Sequence, residues 1–324
     1  MADNSSISNS NRRVMTKKTL FRILLGTLLL VVLIDLCTGW VMGAYVRHCD
    51  IPGDYGKIEY MMKRADAQII LLGASTCMNS IDPEVLEEGL GKRVFNGGLN
   101  DQRLEFFDVM TDAIFRHSKP EMLVLVLRPN DLITDKVGRL PMMNIYYHLG
   151  NAKLDEYLNE NSFKQKLLLF SSLYRYNTYW WRLLLYHFKP TDELAHGGFL
   201  AKPIPKLPPQ RWDSSVSDGG DKPAQVNPRK LRCLENILAT CREAGARLWI
   251  VITPEFISPA PEGYHKPSPI REFCTENNIP LIDDSRSPDF IDHAEYFFDN
   301  YHLNGKGAVL YSQHFLELLK KEYE

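Results

Sequence analysis

Short runs of consecutive apolar residues recur along the chain and alternate with segments whose apolar positions are three or four residues apart. Continuous apolar runs are typical of parallel strands that are covered on both faces of a sheet. They predict strands at residues 67–72, 93–95, 122–127, 247–252 and 280–282. The wider spacing predicts amphipathic helices at residues 83–90, 102–117 and 228–244 and from residue 305 onwards. Strands that alternate with helices indicate an α/β fold, here a three-layer α/β/α sandwich with a mostly parallel sheet of about five strands.

Residues 135–227 interrupt this alternation, because they are too many for one crossover and contain no convincing strand. A helical, aromatic-rich part at residues 161–188 is followed by a loop rich in Pro, Gly and Ser. Since this insertion follows the third strand, we expect it to lie over the carboxyl edge of the sheet, as a lid or a substrate-binding subdomain. In the alternative interpretation, its aromatic side chains form a core of their own or rest on a membrane surface. These side chains are Phe163, Phe170, Tyr174, Tyr176, Tyr179, Trp180, Trp181, Tyr186 and Phe188.

The N-terminal segment combines basic residues with a long apolar run. Residues 23–46 are apolar apart from Asp35 and are long enough to cross a bilayer as a helix. Basic residues precede this run and few follow it, which predicts a cytoplasmic tail at residues 1–22, a transmembrane anchor and an extracytoplasmic, periplasmic main domain. A cleaved signal peptide is the alternative, although its apolar region would be unusually long. We expect Asp35 to pair within the bilayer or to mark a contact with another helix. Residues 47–66 are interpreted as a linker.

Composition excludes several classes of function. Lys and Arg number 38 and Asp and Glu number 40, and no basic stripe follows the N-terminal tail, so nucleic acid is not expected as a partner. Six cysteines are too few for a disulfide-built scaffold. Cys233 and Cys241 lie on one predicted helix at a separation that prevents a bridge, while other bridges stay open. The sequence has neither zinc-ligand spacing nor a phosphate-binding glycine loop, so no metal and no cofactor is predicted.

Two stretches carry residues suited to nucleophilic catalysis. Ser75 directly follows the first strand, at the edge of the sheet where α/β proteins form their active sites. Asp299 lies three positions before His302, which places both on one side of a helical turn. The acid can then hold the imidazole in one tautomer and leave its other nitrogen free to act as a base. These positions predict Ser75 as nucleophile, His302 as its general base and Asp299 as the residue that orients the base.

Each of these residues also has a purely structural interpretation. Ser75 is a good cap for a helix that follows the strand, and Asp299 is a good cap as well. Asn130, which follows Pro129 after the third strand, suits a turn. Glu255, after the fourth strand, is expected to be a solvated loop acid.

Four short blocks, in order along the chain, resemble those of the SGNH (GDSL-type) hydrolase superfamily. Ala74 stands where the first block of the family usually has Asp, and Arg128 stands where the third block has Gly. The resemblance covers about residues 66–134 and 228–318. The blocks are Gly73-Ala-Ser75-Thr76, Val94-Phe-Asn96-Gly-Gly98-Leu-Asn-Asp101, Leu127-Arg-Pro-Asn130-Asp131 and Asp299-Asn-Tyr-His302.

The resemblance implies an SGNH-like α/β domain at residues 47–134 and 228–324, split by the insertion at residues 135–227. It also implies that the side-chain amide of Asn130 and the backbone N–H of Ser75 or its neighbour form an oxyanion hole. The glycine donor of the family's second block falls nearest Asp101, and Gly98 is the other candidate.

By the same resemblance, we expect a serine esterase or O-acyltransferase that works through an acyl-serine intermediate. The implied substrate is an acyl ester, notably acetyl, of a cell-envelope polysaccharide. The implied partners are this acylated glycan and a membrane-bound O-acyltransferase that supplies the acyl group. Two alternatives stay open: a catalytically inactive SGNH-fold component that binds polysaccharide or a membrane-bound acyltransferase, and a lipid-directed esterase with the insertion as an interfacial lid.

Overall fold

The computed structural model describes residues 16–48, 51, 53–160, 163–177, 179, 182, 185, 188, 194–211, 225–258 and 268–323. The strands are β1 Ile69–Gly73, β2 Val94–Asn96, β3 Met122–Leu127, β4 Arg247–Ile252 and β5 Leu281–Asp283. The first helices are α1 Lys17–His48, α2 Asp54–Lys63, α3 Ser75–Ser80, α4 Pro83–Leu90 and α5 Leu104–His117. The later helices are α6 Ala152–Glu160, α7 Phe163–Leu169, α8 Ser172–Tyr176, α9 Pro228–Ala244, α10 Pro269–Asn277, α11 Pro288–Ile291 and α12 Gly305–Tyr323. Short 3₁₀ turns lie at Leu140–Tyr146, Ala195–Gly198 and Ala294–Tyr296.

The five strands form one sheet in the order β2-β1-β3-β4-β5, and every pair in it is parallel. The prediction of an α/β fold with a parallel sheet of five strands is therefore confirmed. Gly73 at the end of β1 pairs with Val126, and Leu127 at the end of β3 pairs with Ile252. The carboxyl ends of the three central strands consequently lie at one edge of the sheet.

Alternate residues of the strands face two separate apolar clusters, as the period of a strand requires. Ile70 and Leu125 belong to the cluster covered by α2, α5 and α9, whereas Ile69 and Val124 belong to the cluster covered by α4 and α12. Because both faces of the sheet are covered, the strands are apolar at every position, as their sequences predict.

The segment interpreted as a linker is instead part of the core. Residues 54–63 form α2, whose Tyr55, Ile58 and Met61 are fully buried against α5 and its neighbours. The linker prediction is wrong here, although the spacing of three residues between these side chains is that of an amphipathic helix.

The insertion begins with α6, which no sequence pattern predicted, and continues with α7 and α8 inside the helical segment expected at residues 161–188. Helix α6 packs against α5, and α8 packs against α1. Tyr176 and Tyr179 are buried, whereas Phe163, Phe170 and Phe188 are exposed. Tyr174 is partly buried against the core. Trp180, Trp181 and Tyr186 lie outside the described residues.

The return of the insertion contacts the helix that carries Ser75. The N–H of Leu200 donates to the carbonyl of Met78 at 3.0 Å, and the carbonyl of Lys202 accepts from the N–H of Gly305 at 2.8 Å. Residues 198–202, which we call the strap, therefore join the insertion to α3 and to the start of α12.

Helix α1 is 32 residues long and has a mean hydropathy of 2.4 over its most apolar window, enough to cross a membrane as an anchor or a signal sequence. Its exposed apolar residues extend from Leu20 to Val41, and Met42 and Val46 beyond them are buried in the core. Of the cysteines, the five in the described residues, Cys37, Cys77, Cys233, Cys241 and Cys274, carry free thiols.

A buried lysine connects three segments behind the carboxyl edge. Lys57 of α2 is fully buried, and its ammonium donates to the carbonyl of Gly98 at 2.5 Å and to that of Gly198 at 2.7 Å. These bonds join α2, the loop after β2 and the start of the strap. Buried charge is tolerated only when it is hydrogen-bonded in this way.

We predict that Lys57→Met destabilises the protein by about 2–3 kcal/mol, because two buried carbonyls lose a charged donor. Lys320→Met on α12 is the control, since the Lys320 side chain is 41% exposed and its ion-pair partner Glu317 is 66% exposed, so that the pair should contribute about 1 kcal/mol or less. Urea unfolding followed by circular dichroism measures both variants. Equal stability of the two variants would contradict the prediction.

Candidate active site

The turn between β1 and the helix that begins at Ser75 is closely packed against its neighbours. Gly73 ends β1, Ala74 is extended, and Ser75 is the first residue of α3. A Cβ on Gly73 would lie 2.5 Å from the Cβ of Cys77 and 2.8 Å from the carbonyl oxygen of Val126. Only glycine fits this approach of helix to strand. Ser75 is half-buried, whereas the rest of α3 is buried, so its hydroxyl is the side-chain hydroxyl of this helix that solvent can reach.

Asp299 and His302 lie in a loop rather than on the helical turn predicted from their spacing. Oδ1 of Asp299 accepts from the backbone N–H of Tyr301 at 2.8 Å and from that of His302 at 3.0 Å. A carboxylate that bonds the backbone two and three residues on creates a turn of its own. The helical expectation is therefore wrong, although the proximity that it implied is present.

The imidazole of His302 lies between the two other residues of the predicted triad. Both carboxylate oxygens of Asp299 are 2.9 Å from its Nδ1. Its Nε2 is 2.7 Å from Oγ of Ser75, across 227 positions of sequence. Because Nδ1 faces a carboxylate, the proton of the neutral ring belongs on Nδ1, and Nε2 is then the acceptor for the Ser75 hydroxyl. The structure thus brings the three residues together in one chain of hydrogen bonds.

The environment keeps Asp299 ionised. Partial burial by itself would raise the pKa of its carboxyl, but the hydrogen bond with His302 and the backbone N–H of Tyr301 outweigh it and leave the pKa below its ordinary value. An ionised carboxylate stabilises the imidazolium that forms when the ring takes a proton.

Cys77 is not a competing nucleophile. Its thiol is buried and donates to Oδ1 of Asn96 at 3.4 Å. Burial raises the pKa of the Cys77 thiol to about 12, so almost none of it is thiolate near neutral pH.

Asn130 lies beyond the end of β3, which pairs directly with β1. The register of Gly73 with Val126 places the ends of β1 and β3 level, and Ser75 and Asn130 follow these ends by two and three residues. The backbone carbonyl of Asn130 accepts from the N–H of Ile133 and of Thr134 at 3.1 Å, so the residue does form a turn. Its side chain is exposed and has no hydrogen bond to another described residue, which leaves the amide free to donate to a ligand.

The two candidates of the second block differ in what their backbone can do. The N–H of Gly98 donates to Oδ1 of Asn96 at 2.9 Å, and so it is already engaged. Asp101 has a φ of 54°, a left-handed conformation that favours glycine. Asp101 thus has a backbone conformation typical of glycine at the position where the resemblance implies a glycine donor.

Gly98 instead supports the serine-bearing helix from behind. A Cβ on Gly98 would lie 2.5 Å from the backbone nitrogen of Met78 in α3. Its neighbour Asn96 donates from Nδ2 to the carbonyls of Cys77 and Ile81 at 2.9 and 2.7 Å. The second block therefore fixes where α3, and with it Ser75, can lie.

Sequence reasoning missed a charged cluster beside the triad. Glu255, expected to be a solvated acid, is only 7% exposed, and its Oε1 lies 3.2 Å from Nε of Arg128. The guanidinium of Arg128 also lies 4.2 Å from the ring centre of Tyr301, next to His302. Burial raises the pKa of the Glu255 carboxyl despite the facing guanidinium. For Arg128, burial would lower the pKa, but Glu255 and Asp131 outweigh it and the charge is retained. The one available signal was Arg128 itself, which replaces the glycine of the third block.

Comparison with protein-family models finds no match, and comparison with curated proteins finds no significant relative. The resemblance to the SGNH hydrolases thus stays a prediction that rests on four short blocks and on the geometry of the residues in them.

We predict that Gly98→Ala destabilises the protein by about 1–3 kcal/mol, because the added methyl group meets the backbone of α3, which cannot rotate away. Gly305→Ala is the control, since a Cβ there would lie 3.6 Å from its nearest neighbours, an ordinary contact. Thermal unfolding of both variants measures the difference. If Gly98→Ala proved as stable as Gly305→Ala, the close packing of the second block against α3 would be disproved.

Proposed function

We propose that this chain is a serine esterase or O-acyltransferase of the SGNH type, with Ser75 as its nucleophile. The observation that carries the proposal is the continuous chain of hydrogen bonds from Asp299 through His302 to Ser75, at 2.9 and 2.7 Å. A nucleophile bonded to a base that a third group orients is the arrangement that activates a hydroxyl.

In this mechanism Oγ of Ser75 attacks the carbonyl carbon of an ester while Nε2 of His302 takes the hydroxyl proton. The tetrahedral intermediate collapses, its bond to the leaving alkoxide breaks, and His302 gives that alkoxide the proton. The product is an acyl-serine. Water or a sugar hydroxyl then attacks the acyl carbon, His302 takes its proton, and the proton returns to Oγ of Ser75 as the acyl–oxygen bond breaks.

The negative charge on the tetrahedral intermediate requires donors that are already in place. The backbone N–H of Ser75 is one, because the first residue of a helix has no acceptor within that helix. The exposed amide of Asn130 and the backbone N–H of Asp101 are the others that we assign. Their common support is position: all three follow the carboxyl ends of β1, β2 or β3.

We assign acetyl or similar acyl esters of an extracytoplasmic cell-envelope polysaccharide as the substrate class. This assignment rests on the resemblance to anchored SGNH enzymes and on α1, whose basic flank precedes the apolar run. The same resemblance adds a membrane-bound O-acyltransferase as the partner that delivers the acyl group. Water as acceptor would give an esterase, and a sugar hydroxyl would give a transferase.

We expect a fluorophosphonate probe to label the purified protein on Ser75 and to fail with Ser75→Ala. Ser80→Ala is the matched control, since Ser80 lies on the same helix but is fully buried, and it should be labelled like wild type. Peptide mapping by mass spectrometry identifies the labelled residue. Labelling of Ser75→Ala, or no labelling of folded wild type, would favour the catalytically inactive component instead.

Asn130→Ala is expected to lower kcat for hydrolysis of an aryl acetate by about 10²–10³, because one oxyanion donor is lost. The melting temperature should not change, since this side chain has no hydrogen bond to another described residue. Asn177→Ala provides the control, being an exposed asparagine on the insertion. If only KM increased and kcat stayed unchanged, the assignment of Asn130 to the oxyanion hole would be contradicted.

A further inference from the structure

Helix α7 carries an apolar face that the described part of the protein leaves uncovered. Phe163 is 82%, Leu167 62% and Phe170 63% exposed. Phe163 and Leu167 are four residues apart on one side of α7, and Phe170 directly follows the last residue of this helix. Leu173 of α8 is exposed as well. We call these four residues the α7 stripe. Exposed apolar groups of this size, close in sequence, indicate a surface that something other than water covers.

A hydrogen-bonded contact ties this stripe to the apolar part of α1. The carboxylate of Asp35 accepts from the hydroxyl of Ser171 at 2.6 Å, from the N–H of Ser172 at 3.1 Å and from that of Leu173 at 2.9 Å. It therefore satisfies backbone donors at the start of α8 that have no partner within the helix. Leu173, a member of the α7 stripe, is held at the level of Asp35.

Helix α8 then follows α1 closely. A Cβ on Gly39 would clash with the side chain of Ser172, and one on Gly43 would lie 3.7 Å from the hydroxyl of Tyr176. Gly39 therefore allows the start of α8 to approach the backbone of α1, and one helical turn later Gly43 lies at an ordinary contact distance from α8. The start of the insertion and the outer part of α1 consequently form one unit.

The position of Asp35 along α1 gives the depth of that unit in a bilayer. A hydrocarbon core of ~30 Å requires about 20 helical residues, so a span that starts after Arg22 ends near Met42. Two features mark the same end: Met42 is the first buried residue of α1, and the exposed Trp40 is an aromatic residue of the kind that lines membrane interfaces. Asp35 lies seven residues before Met42, or about 10 Å inside the core at the rise of an α-helix.

If the start of α8 lay in water instead, the part of α1 left in the bilayer would be too short to span it. Asp35 would have to leave the bilayer with the residues that it binds. About 12 residues would remain between Arg22 and Asp35, and they would cover about 18 Å of the ~30 Å core. An α1 that crosses the membrane therefore requires the start of α8 to lie inside it.

We propose that the α7 stripe is immersed in the lipid leaflet on the side of the main domain, with its apolar face against acyl chains. Lys164 and Lys166 are exposed on either side of the stripe, where their ammonium groups can reach lipid phosphates. The insertion is then a second membrane-embedded element, and the main domain is held at the bilayer by two contacts instead of one. The proposal rests on α1 being a retained anchor and does not depend on the proposed reaction.

The test uses the full purified chain in nanodiscs of phosphatidylcholine and phosphatidylglycerol that contain a phosphatidylcholine with a diazirine on its acyl chain. After illumination, we expect lipid adducts on peptides that contain residues 163–173 as well as on those from residues 23–34. Leu207 is the internal control, since it is 81% exposed but lies on the proline-rich segment after the strap. Adducts on residues 23–34 without any on residues 163–173, or equal adducts on Leu207, would overturn the proposal.

Two further arms separate lipid from a protein partner and from misfolding. Leu167→Glu should reduce the yield of adducts on residues 163–173 several-fold, while Leu207→Glu leaves it unchanged and both variants keep the wild-type melting temperature. Repeating the labelling in native membranes should give the same adducts. Adducts that form in nanodiscs but disappear in native membranes would show that another membrane protein covers the stripe, and the lipid assignment would be withdrawn.

Discussion

The carboxylate of Asp299 carries out two tasks on which the candidate site depends. Its oxygens lie 2.9 Å from Nδ1 of His302, and one of them also accepts from the backbone N–H of Tyr301 and of His302. The same charge thus shapes the loop and fixes the ring inside it. Without this double contact, no regular helix or strand would hold the imidazole at the level of β1, and Nε2 would have no reason to face Ser75.

Ser75, the hydrogen-bond partner of that imidazole, is held in place in a different way, by close packing of backbone segments. Gly73 and Gly98 allow backbone to approach within distances that any Cβ would prevent, and Asn96 bonds two carbonyls of the serine helix region. The ammonium of Lys57 also donates hydrogen bonds to the loop after β2 and to the start of the strap. The loop that carries His302 and the packed helix that carries Ser75 meet at the hydrogen bond between Nε2 and Oγ. The proposed acyl transfer would depend on this preorganisation, because its base and donors must be in place before the substrate arrives.

Features that depend on residues close in sequence could be predicted from the sequence alone. The strands are continuous apolar runs, so their positions along the chain and the serine after β1 could be predicted from a few consecutive residues, whereas their order in the sheet could not. The Asp–His spacing also predicted the contact, though not the loop that creates it. Features that depend on distant segments were missed: Glu255 is buried because Arg128, 127 positions earlier, faces it. Helix α2 was missed although Tyr55, Ile58 and Met61 have the spacing of an amphipathic helix; that they pack against α5 could not be read from the sequence. Similarly, nothing near Asp35 in sequence indicates that its partners begin at Ser171.

The burial of Met42 and Val46 in the main core has a practical consequence for handling the molecule. Removing α1 to obtain a water-soluble fragment would open a cavity between α2 and the insertion and leave the amides at the start of α8 without their acceptor. Such a fragment would be prone to self-association through newly bared apolar surface. Detergent micelles or discs that accommodate the intact chain are therefore the appropriate medium for crystallisation and enzymology alike.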